Sequence, residues 1–523
     1  MTRFHTVILF FSLPFISYSF PAQDYWWVYF RDKDGVSFNP RAYFNRQVPG
    51  HQCAPDLPLW DFNDLPVNEG YIRSVAELAD STGYASRWLN ALFIRAGKQE
   101  VRKIRRLGCV LRVEHAGMSV HSVPAAYDTS LKETDLWLLA MQTEMMGGSL
   151  FREHGIDGRG VRIAVFDGGF PAVNTSPVFS HLREENRIIE TWDFVRNRED
   201  VYAHIAHGTM VLSCIAGKFN GRPMGLAQGA EYLLAITERY GEPFSEEENW
   251  LAAMEWAHRN GAQIINSSLG YTRHRYFRQD MNGQTSLVAK AARIAARKGM
   301  LVVNAMGNDG WNRWEIAGTP ADVDSVLSVG GIDPYTGYHI YFSSYGPTAS
   351  GLQKPNVSAP ASVMAAGRTG IRHAYGTSFS APLVTGFAAC VLQKHPELNS
   401  MELMRAVEQS GHLYPYFDYA HGYGLPQASV IMGTDTAVVK ASFAFRINDD
   451  HLEVVVTGQE KECPGIPRDQ YLYYHIAGPG NRLVKYSVIG VQDEIPLKIP
   501  LGTLNKDCII RVHYRGYTGE FGT

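Results

Sequence analysis

The rhythm of hydrophobic and polar positions changes twice along the chain. Near the start, Tyr25-Trp-Trp-Val-Tyr-Phe30 is an apolar run closed by the turn Asp32-Lys-Asp-Gly35, which predicts a strand. Leu92–Gly97 predicts a second strand, Gln99–Leu107 a basic helix and Cys109–Val113 a further strand. Gly117–Ser130, rich in Ser, Pro, Ala and Thr, reads as an exposed linker. From Gly160 onward, buried strands alternate with amphipathic helices. Val161–Phe166, Tyr232–Ile236, Gln263–Asn266, Leu301–Asn304 and Val326–Val329 are strand-like. Trp250, Ala253, Met254 and Ala257 recur at helical spacing and stop at Asn260-Gly261; Leu287, Ala291, Ile294 and Ala295 do the same up to Gly299. Units of this kind imply parallel strands with right-handed crossovers, hence an α/β domain with a doubly wound, mostly parallel sheet. Sites in such sheets gather at the carboxyl ends of the strands. After Met432 the helical spacing disappears. Phe443–Val456 and Leu472–Ile476 are short β-type runs punctuated by Gly478-Pro-Gly480 and Gly502, so a small C-terminal β domain is expected. There is no internal repeat and no low-complexity tract.

Length and composition narrow this picture. At about 150 residues per domain, 523 residues suit roughly three to four domains. Lys+Arg 49 against Asp+Glu 52 gives a net charge of -3, so no basic field recommends nucleic acid as a partner. Arg3 followed by the apolar run Val7–Ile16, with small residues at Ser17, Ser19 and Ala22, has the layout of a secretory signal peptide. That run is too short to span a bilayer comfortably, and no later segment approaches the roughly 18 uninterrupted apolar residues of a spanning helix. A secreted, periplasmic or cell-surface protein without a membrane span is therefore expected. Of six cysteines, none forms a C-x-x-C pair, which disfavours a zinc knuckle or redox motif. Cys53 with Cys109, and Cys463 with Cys508, are compatible couples for an exported protein, although the connectivity stays open. Cys214 and Cys390 lie in apolar helical runs and read as buried small hydrophobes.

Four segments of the α/β region carry candidate chemistry. Asp167-Gly-Gly169 ends the first buried strand, and His207-Gly-Thr209 opens a helix. Asn304-Ala-Met-Gly-Asn308 follows another buried strand, and Gly376-Thr-Ser-Phe-Ser-Ala-Pro382 leads into the apolar helix Leu383–Leu392. Each alone is a weak signal, since a strand-end Asp is often just a helix cap. Together they are chemically complete. A hydroxyl nucleophile needs an imidazole to remove its proton, and a carboxylate must hold that imidazole in the right tautomer. The tetrahedral intermediate then needs hydrogen-bond donors. Ser378, His207, Asp167 and Asn308 supply one group for each role. Ser378 falls at a helix N-terminus, where its own N–H is unpaired, so that N–H and the Asn308 amide can form a two-donor oxyanion hole.

The order Asp…His…Asn…Ser, with D-G-G, H-G-T, G-N-D and G-T-S-F-S-A-P, resembles the subtilisin-like serine proteases, the subtilases. Phe342-Ser-Ser-Tyr-Gly-Pro347, Lys354–Pro360 and Gly422-Tyr-Gly424 are similar to that family's structural segments, and the likeness runs from about residue 135 to 432. It implies a secreted endopeptidase that cleaves protein or peptide substrates through an acyl-enzyme. Ser267, Ser268, Leu269 and Gly270 would form the substrate-binding strand. Trp88–Arg95 with Glu100–Val113 resembles the second half of the subtilase propeptide, which implies an autoprocessed zymogen cut between about Ala116 and Leu136. The expected organisation is a signal peptide at 1–22, a propeptide-like α+β domain at 23–118, a linker at 119–135, a subtilisin-like domain at 136–434 and a β domain at 435–523. There are two departures: Gly168, where Ser or Thr is commoner, and Met210, where a second histidine is often seen. Gly168 is the one foothold for a catalytically silent binding protein of the same fold. An esterase reading would expect G-x-S-x-G, which is absent at Ser378. His204 and His207 form H-x-x-H without the glutamate of a zinc protease. Acidic pairs such as Asp322/Asp324 and Asp449/Asp450 give structural calcium a foothold but no twelve-residue loop, and no cofactor is required by the chemistry. Tyr25–Phe30 reads as core strand rather than as an aromatic platform.

Overall fold

The computed structural model describes residues 25–44, 60–116, 131–239, 245–273, 275–435, 439–448, 450–457, 471–479, 482–491, 496–502 and 507–522. The expected signal peptide, Cys53, Cys463 and residues 117–130 lie outside the described residues, and both expected cysteine couples lie outside with them. The described chain falls into two compact units.

In the first stretch of chain β1 (Tyr25–Phe30) is followed by the single turn α1 (Pro40–Tyr43), α2 (Glu69–Ala76), β2 (Ser81–Ser86), β3 (Ala91–Arg95), α3 (Lys98–Ile104) and β4 (Val110–Ala116). The sheet of the first unit has the order β2-β3-β1-β4, with β1 antiparallel to both neighbours. Alternation in β1 puts Trp26, Val28 and Phe30 on one face, where they share a core with Val75 of α2 and with Val101 and Ile104 of α3. Asn68 starts α2 by accepting the N–H groups of Gly70 and Tyr71. The aromatic run is thus core strand. Neither β2 nor α2 stands out in the sequence, because Ser81-Thr-Gly-Tyr-Ala-Ser86 lacks a hydrophobic run.

The second unit begins its regular structure with α4 (Glu133–Glu144), α5 (Gly148–Glu153), β5 (Arg162–Asp167), α6 (Ser180–Glu184) and β6 (Ile188–Asp193). There follow α7 (His207–Ala216), the hairpin β7 (Lys218–Phe219) and β8 (Arg222–Pro223), β9 (Glu231–Ile236), α8 (Ser245–Arg259), β10 (Ile264–Ser267), α9 (Leu287–Arg297), β11 (Leu301–Ala305), β12 (Val326–Ile332) and β13 (Val357–Pro360). A second hairpin, β14 (Ser362–Ala366) and β15 (Ile371–Tyr375), leads into α10 (Thr377–Lys394), α11 (Ser400–Gln409) and α12 (Ala428–Met432).

The main sheet has seven strands in the order β13-β12-β11-β10-β5-β9-β6, parallel at every pairing. The chain enters at β5, builds β6 and β9 on one side, then crosses to build β10 through β13 on the other. The switch point therefore lies at β5, and the crevice beyond the carboxyl ends of β9, β5, β10 and β11 is where a doubly wound sheet places its site. On one face, Ile163, Val165, Leu234, Leu301 and Val303 share a core with Val211 and Ile215 of α7 and with Leu383, Phe387 and Val391 of α10. Each full burial of such a side chain contributes about 1.5–3 kcal/mol. A helix that is apolar on all sides, as α10 is, can only be a buried one. On the other face Phe166 meets Trp250 of α8 edge-on at 5.9 Å.

Beyond α12 come β16 (Phe443–Asn448), β17 (His451–Val456), β18 (Tyr471–Gly478), β19 (Arg482–Gly490), β20 (Leu497–Pro500), β21 (Ile509–Tyr514) and β22 (Tyr517–Gly522). They form antiparallel sheets of order β16-β17-β20 and β19-β18-β21-β22 around Phe443, Leu452, Val454, Ile476 and Ile510. Tyr416 packs against Tyr473, His475 and His513 of these strands. No described helix is long and apolar enough to cross a membrane.

Candidate active site

β5 ends on Asp167, which is fully buried. The chain turns at once: Gly168 N–H donates to Asp167 Oδ1 at 2.7 Å. Gly169 follows with φ +151, where a Cβ would stand 2.2 Å from the Ala203 carbonyl oxygen, so only glycine fits. α7 opens on His207, whose Nδ1 lies 2.9 Å from Asp167 Oδ2 and 3.1 Å from Oδ1. Gly208 permits this approach, since a Cβ there would come within 2.5 Å of the Gly169 carbonyl oxygen. Thr209 Oγ1 ties the same turn down by donating to the Pro171 carbonyl at 2.7 Å. With Nδ1 facing the carboxylate as donor, Nε2 is the nitrogen left to accept a proton. Burial pushes the imidazole pKa down, but the Asp167 carboxylate, supported by Glu238, outweighs burial and the opposing Arg372 and lifts it to about 9. The ring stays partly open, with 29% of the side chain exposed.

Ser378 is the second residue of α10. At the first, Thr377 N–H and Thr377 Oγ1 both donate to Asn308 Oδ1, at 2.9 and 3.0 Å. Those bonds fix the amide's orientation, turning its Nδ2 toward Gly376, where a Cβ would lie 3.4 Å away. The Ser378 N–H makes no hydrogen bond among the described residues. Two donors thus stand beside the hydroxyl, as an oxyanion requires. Pro382 lies inside α10 and has no N–H, so the Ser378 carbonyl four residues earlier loses its helical donor. Ser268 Oγ replaces it at 2.8 Å. Ser378 Oγ in turn donates to the Ser268 carbonyl at 3.3 Å rather than to His207. The imidazole ring centre lies 5.5 Å from that of Phe379, the next residue of α10.

The expected substrate strand runs on from the end of β10. Ser267 points inward, its Oγ accepting the Trp250 indole N–H at 3.1 Å. Asn266 Nδ2 donates to Ser268 Oγ at 3.3 Å and is held by Thr385 Oγ1, which donates to Asn266 Oδ1 at 2.9 Å. Asn304 Nδ2 donates to the Leu269 carbonyl at 3.0 Å. Gly270 keeps its N–H and C=O without a partner among the described residues, and nothing lies within 4 Å of where its Cβ would be. The sheet thus brings Asp167, His207, Asn308, Ser378 and Ser268–Gly270 to one crevice. Asn266, Asn304, Thr377, Thr385 and Glu238 were not among the expected site residues. Asn304 and Thr377 fall inside candidate segments without a role assigned to them, and the others leave no trace in the sequence beyond a polar residue within or beside an apolar run.

The competing sequence signals go elsewhere. His204 Nε2 stands 3.1 Å from Arg198 Nη2 and 3.9 Å from Asp193 Oδ2, so the two histidines of H-x-x-H serve different carboxylates. Asp322 Oδ2 accepts the Gly283 N–H and Asp324 Oδ1 the Ser325 N–H, while Asp450 pairs with His451. Asp449 lies outside the described residues. Among the described residues, no group of three or more His, Cys, Asp or Glu is placed to hold a metal ion. Cys214 and Cys390 are buried in α7 and α10, and burial pushes both thiols up, Cys214 to about 12.

Residues 158–424 match the Subtilase family, and residues 25–132 match the Peptidase S8 propeptide domain, Bacteroidota. The chain is 30% identical over 260 residues to the thermostable alkaline protease of Halalkalibacterium halodurans, covering 49% of this chain and 63% of that protein. It is also 30% identical over 255 residues to the thermophilic serine proteinase of a Bacillus species, covering 48% of this chain and 56% of that one. The matched stretch therefore spans less than two thirds of either relative. In fold the chain is similar to fervidolysin from Fervidobacterium pennivorans, a keratinolytic enzyme related to subtilisin, with a TM-score of 0.56 at 17% identity over 94% of this chain and 70% of that one. The family match takes in every strand of the seven-stranded sheet together with Asp167, His207, Asn308 and Ser378, and the chain belongs to the subtilase family.

Proposed function

We propose that the protein is an exported serine endopeptidase. Ser378 Oγ attacks the scissile carbonyl carbon as its proton passes to His207 Nε2. Asp167 holds the Nδ1–H and stabilises the imidazolium that forms. The oxyanion sits between the Asn308 amide and the Ser378 N–H. Collapse expels the amine, which takes the proton back from His207, and water then repeats the sequence to release the acid and restore the serine. Attack requires the hydroxyl to leave its present bond to the Ser268 carbonyl and turn toward His207 by rotation about χ1. The substrate adds as a strand along Ser268–Gly270, which gives main-chain affinity with limited sequence choice. Every proton and electron pair is carried by these side chains, so no cofactor is required.

The observation that carries this reading is the convergence of a buried carboxylate–imidazole pair with a serine hydroxyl and two oriented donors at one helix N-terminus. Gly168 gives the silent binding-protein reading little, since Asp167 still receives the Gly168 N–H and the His207 Nδ1–H and no reacting group is missing. The match of residues 25–132 to a propeptide domain supports self-processing between about Ala116 and Leu136. The family and the N-terminal apolar run support action outside the cytoplasm on protein or peptide substrates.

The test is the intact mass of the purified protein after exposure to a fluorophosphonate, beside Ser378→Ala. One adduct on the wild type and none on the variant is expected, with the N-terminal region lost from the wild type alone. Peptide and ester substrates offered in parallel separate a peptidase from an esterase. A wild type that stays full-length and unlabelled, even after brief trypsin treatment to remove an inhibitory segment, would overturn the reading.

A further inference from the structure

The ladder between β10 and β11 stops where the expected substrate strand begins, its last register pair being Ser267 with Asn304. Leu301 N–H donates to the Gln263 carbonyl at 2.9 Å. With the even spacing of a parallel ladder, the same series carried past the last pair would bring Leu269 N–H to the Ala305 carbonyl. No such bond forms among the described residues. The two backbones part there, and the Asn304 side chain fills the break. Its Nδ2 donates to the Leu269 carbonyl at 3.0 Å and to the Ala305 carbonyl at 2.9 Å. Asn304 is fully buried. Only the NH₂ end of the amide can meet two carbonyls, so its orientation is fixed. Oδ1 is left buried with no hydrogen-bond partner among the described residues, a cost that the fold carries at this position.

Backbone groups of successive residues in an extended chain point to opposite sides. Ser268 and Gly270 therefore turn theirs toward the crevice, where the Ser268 carbonyl meets the Ser378 hydroxyl at 3.3 Å and Gly270 makes no hydrogen bond among the described residues. Leu269 turns its carbonyl the other way, onto Asn304. The strand is fastened on either side of Leu269. Ser268 Oγ donates to the Ser378 carbonyl at 2.8 Å, and Tyr271 exchanges backbone bonds with Thr319 at 3.0 and 3.1 Å. Leu269 N–H makes no hydrogen bond among the described residues, so the polar tie on the middle of the strand is the Asn304 amide. The oxyanion donor does not depend on it, because Thr377 fixes Asn308 separately at 2.9 and 3.0 Å. We infer that Asn304 is a positioning residue: by bridging Leu269 and Ala305 it holds Ser268–Gly270 at the distance from β11 at which an extended peptide can pair with that strand. This rests on the peptidase reading above and deepens it, since the residue matters for substrates long enough to use the strand.

The experiment measures kcat/KM on two p-nitroanilides that share the acylated residue, a single blocked residue and a longer peptide that spans the strand, for wild type, Asn304→Leu and Asn304→Ser. Leucine keeps the volume and removes the donors, whereas serine keeps one donor. The rate of fluorophosphonate labelling of Ser378 reports the reacting groups without using the strand. Wild type should prefer the longer substrate by about tenfold or more, through its main-chain hydrogen bonds. In Asn304→Leu the ratio of long to short should fall by about fivefold or more, the effect of leaving a buried group unpaired, with labelling within about twofold of wild type. Asn304→Ser should lie between. A residue that served stability alone would lower both substrates and the labelling together and leave the ratio as it was. Equal cleavage of both anilides by wild type, or a wild-type ratio in labelled Asn304→Leu, overturns the inference while leaving the peptidase reading intact. Where the leucine variant does not label, the serine variant decides by the same ratio. Labelling of wild-type Ser378 without cleavage of either anilide overturns both.

Discussion

Two opposed effects meet on His207, and their balance sets the pH range of the proposed chemistry. Burial favours the neutral ring, but Asp167 and Glu238 favour the imidazolium more strongly and raise the pKa from 6.5 to about 9. A general base must start neutral, so kcat/KM should climb with pH along a limb centred near 9. Stability moves the other way. A folded pKa above the unfolded one gives stabilisation that is fully present below 6.5 and lost as the pH rises through about 9. A pH–rate profile beside a pH–melting profile should therefore show turnover still rising where the His207 contribution to stability is fading; a limb near 6.5 would contradict the balance described. At Asn308, replacement by alanine removes one oxyanion donor and should lower kcat by about 10²–10³ with little change in KM, read by steady-state kinetics. Asp167, His207, Asn308 and Ser378 stood out in the sequence because the chemistry restricts the residue types and short motifs surround them. Glu238 did not, and Asn304 stood only as the start of a segment with no role assigned, because what each does depends on which strand lies beside it, and adjacency in a crossover sheet is not written locally.

Among the elements, α7 and β5 show how space can overrule propensity. In a helix, alanine is better than glycine by about 1 kcal/mol, so Gly208→Ala on propensity alone should stabilise. Here a Cβ at 208 would come within 2.5 Å of the Gly169 carbonyl oxygen and 2.8 Å of Asp167 Cβ. Neither neighbour can yield, since Gly169 is itself hemmed in by the Ala203 and Ile205 backbone. Gly208→Ala should instead destabilise by about 1–3 kcal/mol, as overpacking does, and push His207 off Asp167. Denaturant melts and peptide turnover would report a loss in both; a more stable, fully active variant would show that the turn can relax. The same contrast governs which elements were visible beforehand. The central strands β5, β9, β10 and β11 are buried on both faces and announce themselves as apolar runs. β6, with Ile188-Ile-Glu-Thr-Trp-Asp193 mostly half-buried at the sheet edge, carries too little pattern to be recognised.

Across the whole chain, the C-terminal strands raise a question about acid. Tyr416 is enclosed by Tyr473, His475 and His513, with ring centres 6.2, 5.1 and 5.7 Å away. Burial keeps both histidines neutral and lowers each pKa to about 4; Arg511 adds to the effect on His475, against the weaker pull of Asp418 and Glu520. In the unfolded chain each would titrate near 6.5. Between those values the unfolded state binds more protons, so the stabilisation is fully present above 6.5 and is lost as the pH falls toward about 4. The loss amounts to at most roughly 3 kcal/mol for each histidine, at about 1.4 kcal/mol per tenfold change in proton affinity. A double variant, His475→Phe with His513→Phe, keeps aromatic packing around Tyr416 and removes both titrations. Its melting temperature should fall less than that of the wild type between pH 7 and pH 4. Parallel curves for the two proteins would mean that the acid response resides elsewhere, for instance in the buried Asp418–His421 pair, whose Nδ1–Oδ1 distance is 2.7 Å. The expected contrast would place part of the acid response in the two histidines packed on Tyr416, a dependence that composition alone could not reveal because 18 histidines are spread along the whole chain.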